Sequence, residues 1–193
     1  MNPGAAISHP ESSGGRVGRL LLIAVAAALV VLWAAAVDAD WLRLGVDCAL
    51  GWSLLALAWI DWQRMRLPDF LTLPLLVVGL LAAALEMPDE LSASIIGAVV
   101  GYAGLRLIDW GYRGLRGREG LGQGDAKLLA AGGAWLGWEA LPWVVLLAAM
   151  LGLALALFHR ARGVALTRET ALPFGPPLAL AIWIIRLHGF PGG

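Results

Sequence analysis

Seven apolar stretches, at residues 20–37, 44–60, 69–85, 91–109, 127–138, 143–158 and 172–187, are separated by short turns rich in charge, glycine or proline. A helix that spans a bilayer needs roughly 20 mainly apolar residues, and most of these stretches approach that length. With 60% of 193 residues hydrophobic and 15% charged, and a mean hydropathy of +0.77, the chain has no room for a large soluble domain. The expected fold is all-α, a polytopic integral membrane bundle of about seven transmembrane helices. A formal net charge of zero argues against nucleic acid as a partner, since phosphate binding calls for a basic surface. Cys48 is the single cysteine, which excludes an internal disulfide and a cysteine-based zinc cluster, and it reads as a packing residue.

The charges between the stretches give an expected topology. Residues 1–19, rich in Gly, Ser and Pro, read as a disordered cytoplasmic tail. Arg16 and Arg19 precede the first apolar stretch, which reads as a retained span with its N-terminus inside; a cleaved signal peptide is the rival reading. Arg64 and Arg66, then Arg113, Arg116 and Arg118, then Arg160, Arg162 and Arg168 fall on the inner side, whereas Asp38, Asp40, Glu86, Asp89 and Glu90 fall outside. Residues 20–188 are expected to form one transmembrane domain, followed by a short tail at 189–193. Pro74 interrupts the third stretch and is tolerated where neighbours satisfy the freed carbonyl. Gly97, Gly101 and Gly104, spaced three or four apart, are expected to let another helix pack closely on the fourth.

The segment Gly120-Leu-Gly-Gln-Gly-Asp125-Ala-Lys127 puts an acid at the start of an apolar run on the inner side. Gly122 and Gly124 are expected to allow a tight turn and close approach of another segment. The run after Lys127 is short: a dozen residues reach about 18 Å, well under a hydrocarbon core of roughly 30 Å. Either Asp125 sits below the membrane surface, on a backbone covered by protein or lining a wet cavity, or the helix is locally short or continued.

Asp61 also closes a span on the inner side. Charge is costly at the membrane boundary, and two carboxylates within a few Å repel each other and hold one proton between them. One then acts as base on a water and the other as acid on a carbonyl, the division of labour of aspartic proteases. His9, His159 and His188 are scattered, so neither a histidine-based triad nor a metal cluster competes, and no cofactor is expected. Asp69, after Pro68, reads as a helix-start acid, and Asp109 as the partner of Arg106 and Arg113. A transporter or channel using intramembrane carboxylates is the alternative, but such sites lie toward the midplane, and these acids lie near span ends.

The residues also carry a resemblance. Ile60-Asp61, Arg66-Leu67-Pro68-Asp69 and Leu71-Thr72-Leu73-Pro74-Leu75, then the run from Gly122 to Trp138, then Pro173-Phe174-Gly175-Pro176 with Leu178-Ala179, closely resemble the catalytic domain of type IV prepilin peptidases, over about residues 45–187. These are aspartic membrane proteases with a Gly-Xaa-Gly-Asp motif. The resemblance implies that Asp61 and Asp125 are the catalytic pair, with Gly122, Gly124, Lys127, Pro173, Phe174, Gly175 and Pro176 supporting the site. Lys127 reads as an interface anchor or as a charge that damps the pair. The implied reaction removes the basic leader of type IV prepilins or of type II secretion pseudopilins at the cytoplasmic face of the bacterial inner membrane. Arg113, Arg116 and Arg118 either orient that substrate or only fix topology. Bifunctional members carry a cysteine-bearing methyltransferase domain, and a peptidase without methyltransferase activity is the expectation for this chain.

Overall fold

Long apolar segments satisfy their own backbone hydrogen bonds by forming helices, and the computed structural model is built from helices throughout its described residues, 13–37, 40–116, 122–163 and 173–191. They are α1 (Ser13–Val37), α2 (Trp41–Arg64), α3 (Asp69–Glu86), α4 (Leu91–Arg116), α5 (Gln123–Leu136), α6 (Leu141–Ala161) and α7 (Gly175–His188), with a 3-10 turn at Pro88–Glu90 before α4. Four of these, α2, α3, α4 and α6, are long and apolar enough to cross a membrane. Their outward side chains are apolar, as at Phe70, Leu85, Val99, Leu153 and Leu157, all more than half exposed, a surface suited to lipid.

The bounds differ from the expected ones in several helices. α1 begins at Ser13, inside the segment expected as a disordered tail; residues 1–12 lie outside the described residues. α2 begins at Trp41, because the Asp40 carboxylate caps it by accepting from the Leu42 N–H at 3.1 Å. α4 runs past Asp109 to Arg116, so Arg113 is on a helix and not in a loop. α5 and α7 have 14 residues each. At 1.5 Å per residue such a helix reaches about 21 Å, too short to cross alone. The expected all-α bundle of about seven helices is what the described residues form: seven α-helices, four of them long and apolar enough to span, with α5 and α7 short and the apolar part of α1 confined to Leu21–Val37.

The short helices are the core. α5 is buried from Asp125 to Trp135 except for partial exposure at Lys127, and α7 buries Gly175, Pro177, Leu178, Ala179, Ala181 and Ile182 among others. A helix apolar on all sides belongs inside a bundle. α5 lies between α3 and α4 and also meets α7, which packs on α2 and α6. Glycines set the closest crossing: Gly97 of α4 and Gly133 of α5 face each other so tightly that a Cβ on either would overlap the other's carbonyl. Gly101 stands against the Leu129 carbonyl, where a Cβ would come to 2.7 Å. Gly104 has nothing within 4 Å and takes no part in the crossing, one turn too far along α4. Gly79 makes room for the Trp135 indole, whose Nε1 donates to the Leu75 carbonyl at 2.9 Å beside the Pro74 break.

Polar contacts fix direction. At one end Arg186 of α7 donates to Asp47 of α2 at 2.8 Å and lies 3.8 Å from Glu86. At the other end the start of α7 meets the end of α2 at Asp61, so the two helices are antiparallel. Asp47 is 2% exposed, and a charge so buried needs its partner. We expect Gly133→Val to destabilise the detergent-solubilised protein by about 1–3 kcal/mol or more through overpacking at the crossing. Gly104→Ala, at an open helical position, should leave the thermal midpoint unchanged or slightly raised.

Candidate active site

Three helix ends converge at the end of the bundle opposite Asp47. Asp61 is in the last turn of α2, which stops at Met65 in the left-handed conformation (φ 52), its N–H donating to the Asp61 carbonyl at 2.8 Å. A left-handed residue other than glycine is uncommon, and here it turns the chain sharply toward Leu67 and Pro68. Pro68 is extended (φ −75, ψ 136), as its ring requires, and starts α3.

Asp125 is in the first turn of α5, and its N–H donates to the Gly122 carbonyl at 3.1 Å. Gly122 has φ −65 and ψ 138, a conformation open to any residue, so the expected tight glycine turn is not the reason for glycine here. Space is the reason. A Cβ on Gly122 would stand 3.1 Å from Asp125 Oδ2, and one on Gly124 would stand 2.7 Å from Leu67 Cβ and 3.2 Å from Leu67 N. Gly124 thereby lets the start of α5 lie directly on the turn that follows Asp61.

The third end is α7. Gly175 opens it and donates its N–H to Asp61 Oδ2 at 3.0 Å. A Cβ at Gly175 would lie 2.5 Å from that oxygen and 2.8 Å from Cγ, so only glycine lets the backbone reach the carboxylate. Pro176 and Pro177 follow in the first turn, where their missing N–H groups cost nothing, and Pro173 and Phe174 precede it, the Phe174 ring resting near Gly152 of α6. Asp61 is 5% and Asp125 8% exposed, and the two are near enough for their charges to interact. The positive ends of α5 and α7 both point into this small space, which favours negative charge there. At the end of α2 and the turn into α3 lies an open groove of about 960 Å³ whose lining includes Trp59, Ile60, Gln63, Arg66, Leu67 and Phe70.

Of the residues singled out in the sequence, the structure brings together Asp61, Asp125, Gly122, Gly124 and Gly175. Lys127 binds the Asp69 carboxylate at the start of α3. Asp109 is paired with Arg113 at 2.8 Å and Arg106 at 3.5 Å, as expected. The Arg116 side chain and Arg118 lie outside the described residues. Sequence reasoning missed the direct contact of Gly175 with Asp61 and the Lys127–Asp69 pair; each joins segments far apart in sequence, and only the motif blocks that contain them marked these residues.

The chain is 44% identical over 150 residues to a protein of Dichelobacter nodosus called prepilin leader peptidase/N-methyltransferase, covering 78% of this chain and 51% of that protein. Proteins of the same name in Aeromonas hydrophila and Burkholderia pseudomallei (strain 1026b) are 47% and 54% identical over 144 and 127 residues, covering 72% and 66% of this chain and 48% and 41% of theirs. The chain thus spans about half the length of the curated relatives it matches. No solved structure gives a significant match. Residues 48–157, more than half of the chain and including both Asp61 and Asp125, match the model of the Type IV leader peptidase family, and the chain belongs to that family.

Proposed function

We propose that this chain is an aspartic endopeptidase of the bacterial inner membrane, its N-terminus cytoplasmic, that removes the basic leader from type IV prepilins or type II secretion pseudopilins at the cytoplasmic face. The observation that carries this reading is the meeting of Asp61 and Asp125 at three buried helix ends, next to an open groove. Family membership and the names of the relatives support the substrate class.

In the proposed reaction the pair holds one proton. The ionised carboxylate takes a proton from a water as the water oxygen attacks the scissile carbonyl carbon, while the protonated carboxyl gives its proton to the carbonyl oxygen. The tetrahedral intermediate then collapses: the C–N bond breaks, a proton passes from the pair to the leaving nitrogen, and the gem-diol returns one to the pair. Atoms and protons balance with two carboxylates and one water, without a metal or cofactor. The Gly175 N–H fixes one Asp61 oxygen, leaving the other for the water or for Asp125. The groove, walled by Trp59 and Phe70 and edged by Arg66, is the proposed approach for an extended peptide. On α4, Arg113 is held by Asp109 and serves to fix topology; Arg116 and Arg118 remain the residues for orienting substrate in this proposal.

Asp61→Asn and Asp125→Asn should each lower leader cleavage in membranes by at least about 10²–10⁴-fold, the usual worth of positioned acid–base catalysis, with insertion intact. Asp109→Asn should retain most activity, and cleavage by either dyad variant at near the wild-type rate would sink the assignment. Gly175→Ala places a methyl group against the Asp61 carboxylate, and a displacement of that kind should cost roughly 10–100-fold in kcat. A peptide-cleavage assay on purified protein reads both sets, and chelators should leave the wild-type rate unchanged.

A further inference from the structure

The turn that joins α2 to α3 touches the start of α5 at two points. Leu67 lies on Gly124, immediately before Asp125. Lys127 Nζ, two residues after Asp125, binds Asp69 Oδ1 at the first residue of α3. Asp125 is therefore flanked on both sides along the chain by contacts to the segment that follows Asp61. Asp69 is 59% exposed and Lys127 25%, and ion pairs this open to solvent contribute little to stability. Their placement is what matters: the pair crosses from the end of the α2–α3 turn to the first turn of α5, 58 residues away in sequence.

We propose that Asp69 and Lys127 are positioning residues, whose ion pair, together with Leu67 on Gly124, clamps the first turn of α5 against the end of α2 and so sets the spacing of Asp61 and Asp125. The proposal rests on the reading of those two acids as the catalytic pair. Two carboxylates share a proton only within a few Å of each other, so a small drift of α5 breaks the sharing without unfolding the bundle. Neither residue is one of the proposed reacting acids, and Lys127 reaches Asp69 at the start of α3.

The test has a kinetic arm and a geometric one, both on the full chain in membranes. Asp69→Asn and Lys127→Met should each lower kcat about tenfold with KM little changed, as expected when alignment and not binding is lost. Asp69→Glu should keep most of the rate, and the charge exchange Asp69→Lys with Lys127→Asp should recover most of what either single change loses. Singles at the wild-type kcat, while Asp61→Asn is inactive, would overturn the clamp and leave the catalytic pair standing. The clamp is overturned equally if the exchange recovers nothing although the protein is inserted and folded. The geometric arm needs no activity: Asp61→Cys with Asp125→Cys in a Cys48→Ala background, treated with a short bifunctional thiol reagent, should crosslink readily. Adding Asp69→Asn should cut the yield several-fold. An undiminished yield overturns the clamp even if Asp61→Asn proves active and the catalytic reading itself falls.

Discussion

A helix of 14 residues reaches about 21 Å in a membrane whose apolar core is roughly 30 Å thick, and most of this structure follows from having two of them at its centre. A helix end inside the bilayer leaves N–H and C=O groups that lipid cannot satisfy, so it is tolerated only inside protein. α2, α3, α4 and α6 supply that cover. Because α5 and α7 both begin at the same end of the bundle, their unsatisfied N–H groups gather there, and the carboxylates of Asp61 and Asp125 are the groups placed to receive them. The Gly175 N–H donating to Asp61 is one such end group meeting its acceptor. Acid and helix terminus are each costly alone in an apolar medium, and together they offset one another.

Close approach is the second requirement, and glycine answers it by absence of volume, not by unusual backbone angles. Gly97 against Gly133 brings α4 and α5 into backbone contact, Gly124 admits Leu67, and Gly175 admits the Asp61 carboxylate. Across the bundle, the buried Asp47 is matched by Arg186, which ties the far end of α7 to α2. α7 is thus held at both ends by an acid of α2, through a backbone N–H at one and a guanidinium at the other. An antiparallel pair fixed in this way holds Asp61 at a set height relative to Gly175.

The helices were legible because burial in lipid demands long apolar runs, and a run of that kind is visible without knowing what it touches. α3, with Asp69 at its start and Glu86 at its end, came close to expectation. Bounds failed where a local signal outweighed hydropathy: Asp40 caps α2 earlier than the apolar run begins, and α4 carries its arginines as helix. The shortness of α5 was readable from the run after Lys127; that α7 is equally short was not, since the apolar stretch begins at Leu172 but the helix starts only at Gly175. Asp61 and Asp125 stood out as acids at span ends, yet Asp109 shares that property, and it took the motif resemblance to set Asp61 apart. Their companions were hidden for a plainer reason. The Gly175–Asp61 bond spans 114 residues of sequence and the Lys127–Asp69 pair 58, and no local pattern encodes a contact at that range.

Burial and access pull against each other in any site that uses water inside a membrane protein. Asp61 and Asp125 are both more than nine-tenths covered, while the proposed reaction needs a water and a peptide to arrive. In the proposed reaction the groove at the end of α2 is the path for both: it is lined by Ile60, which precedes Asp61 in the chain, and by Leu67, which lies on Gly124. Its other walls, Trp59 and Phe70, are apolar and Arg66 is basic, the pattern of side chains that sit where lipid meets water. A peptide segment lying there would be partly in the membrane and partly out, with its backbone unpaired until it met Asp61. An exposed backbone is what a protease needs and what a transmembrane helix conceals, so a groove that holds a peptide extended suits the chemistry that the pair is proposed to perform.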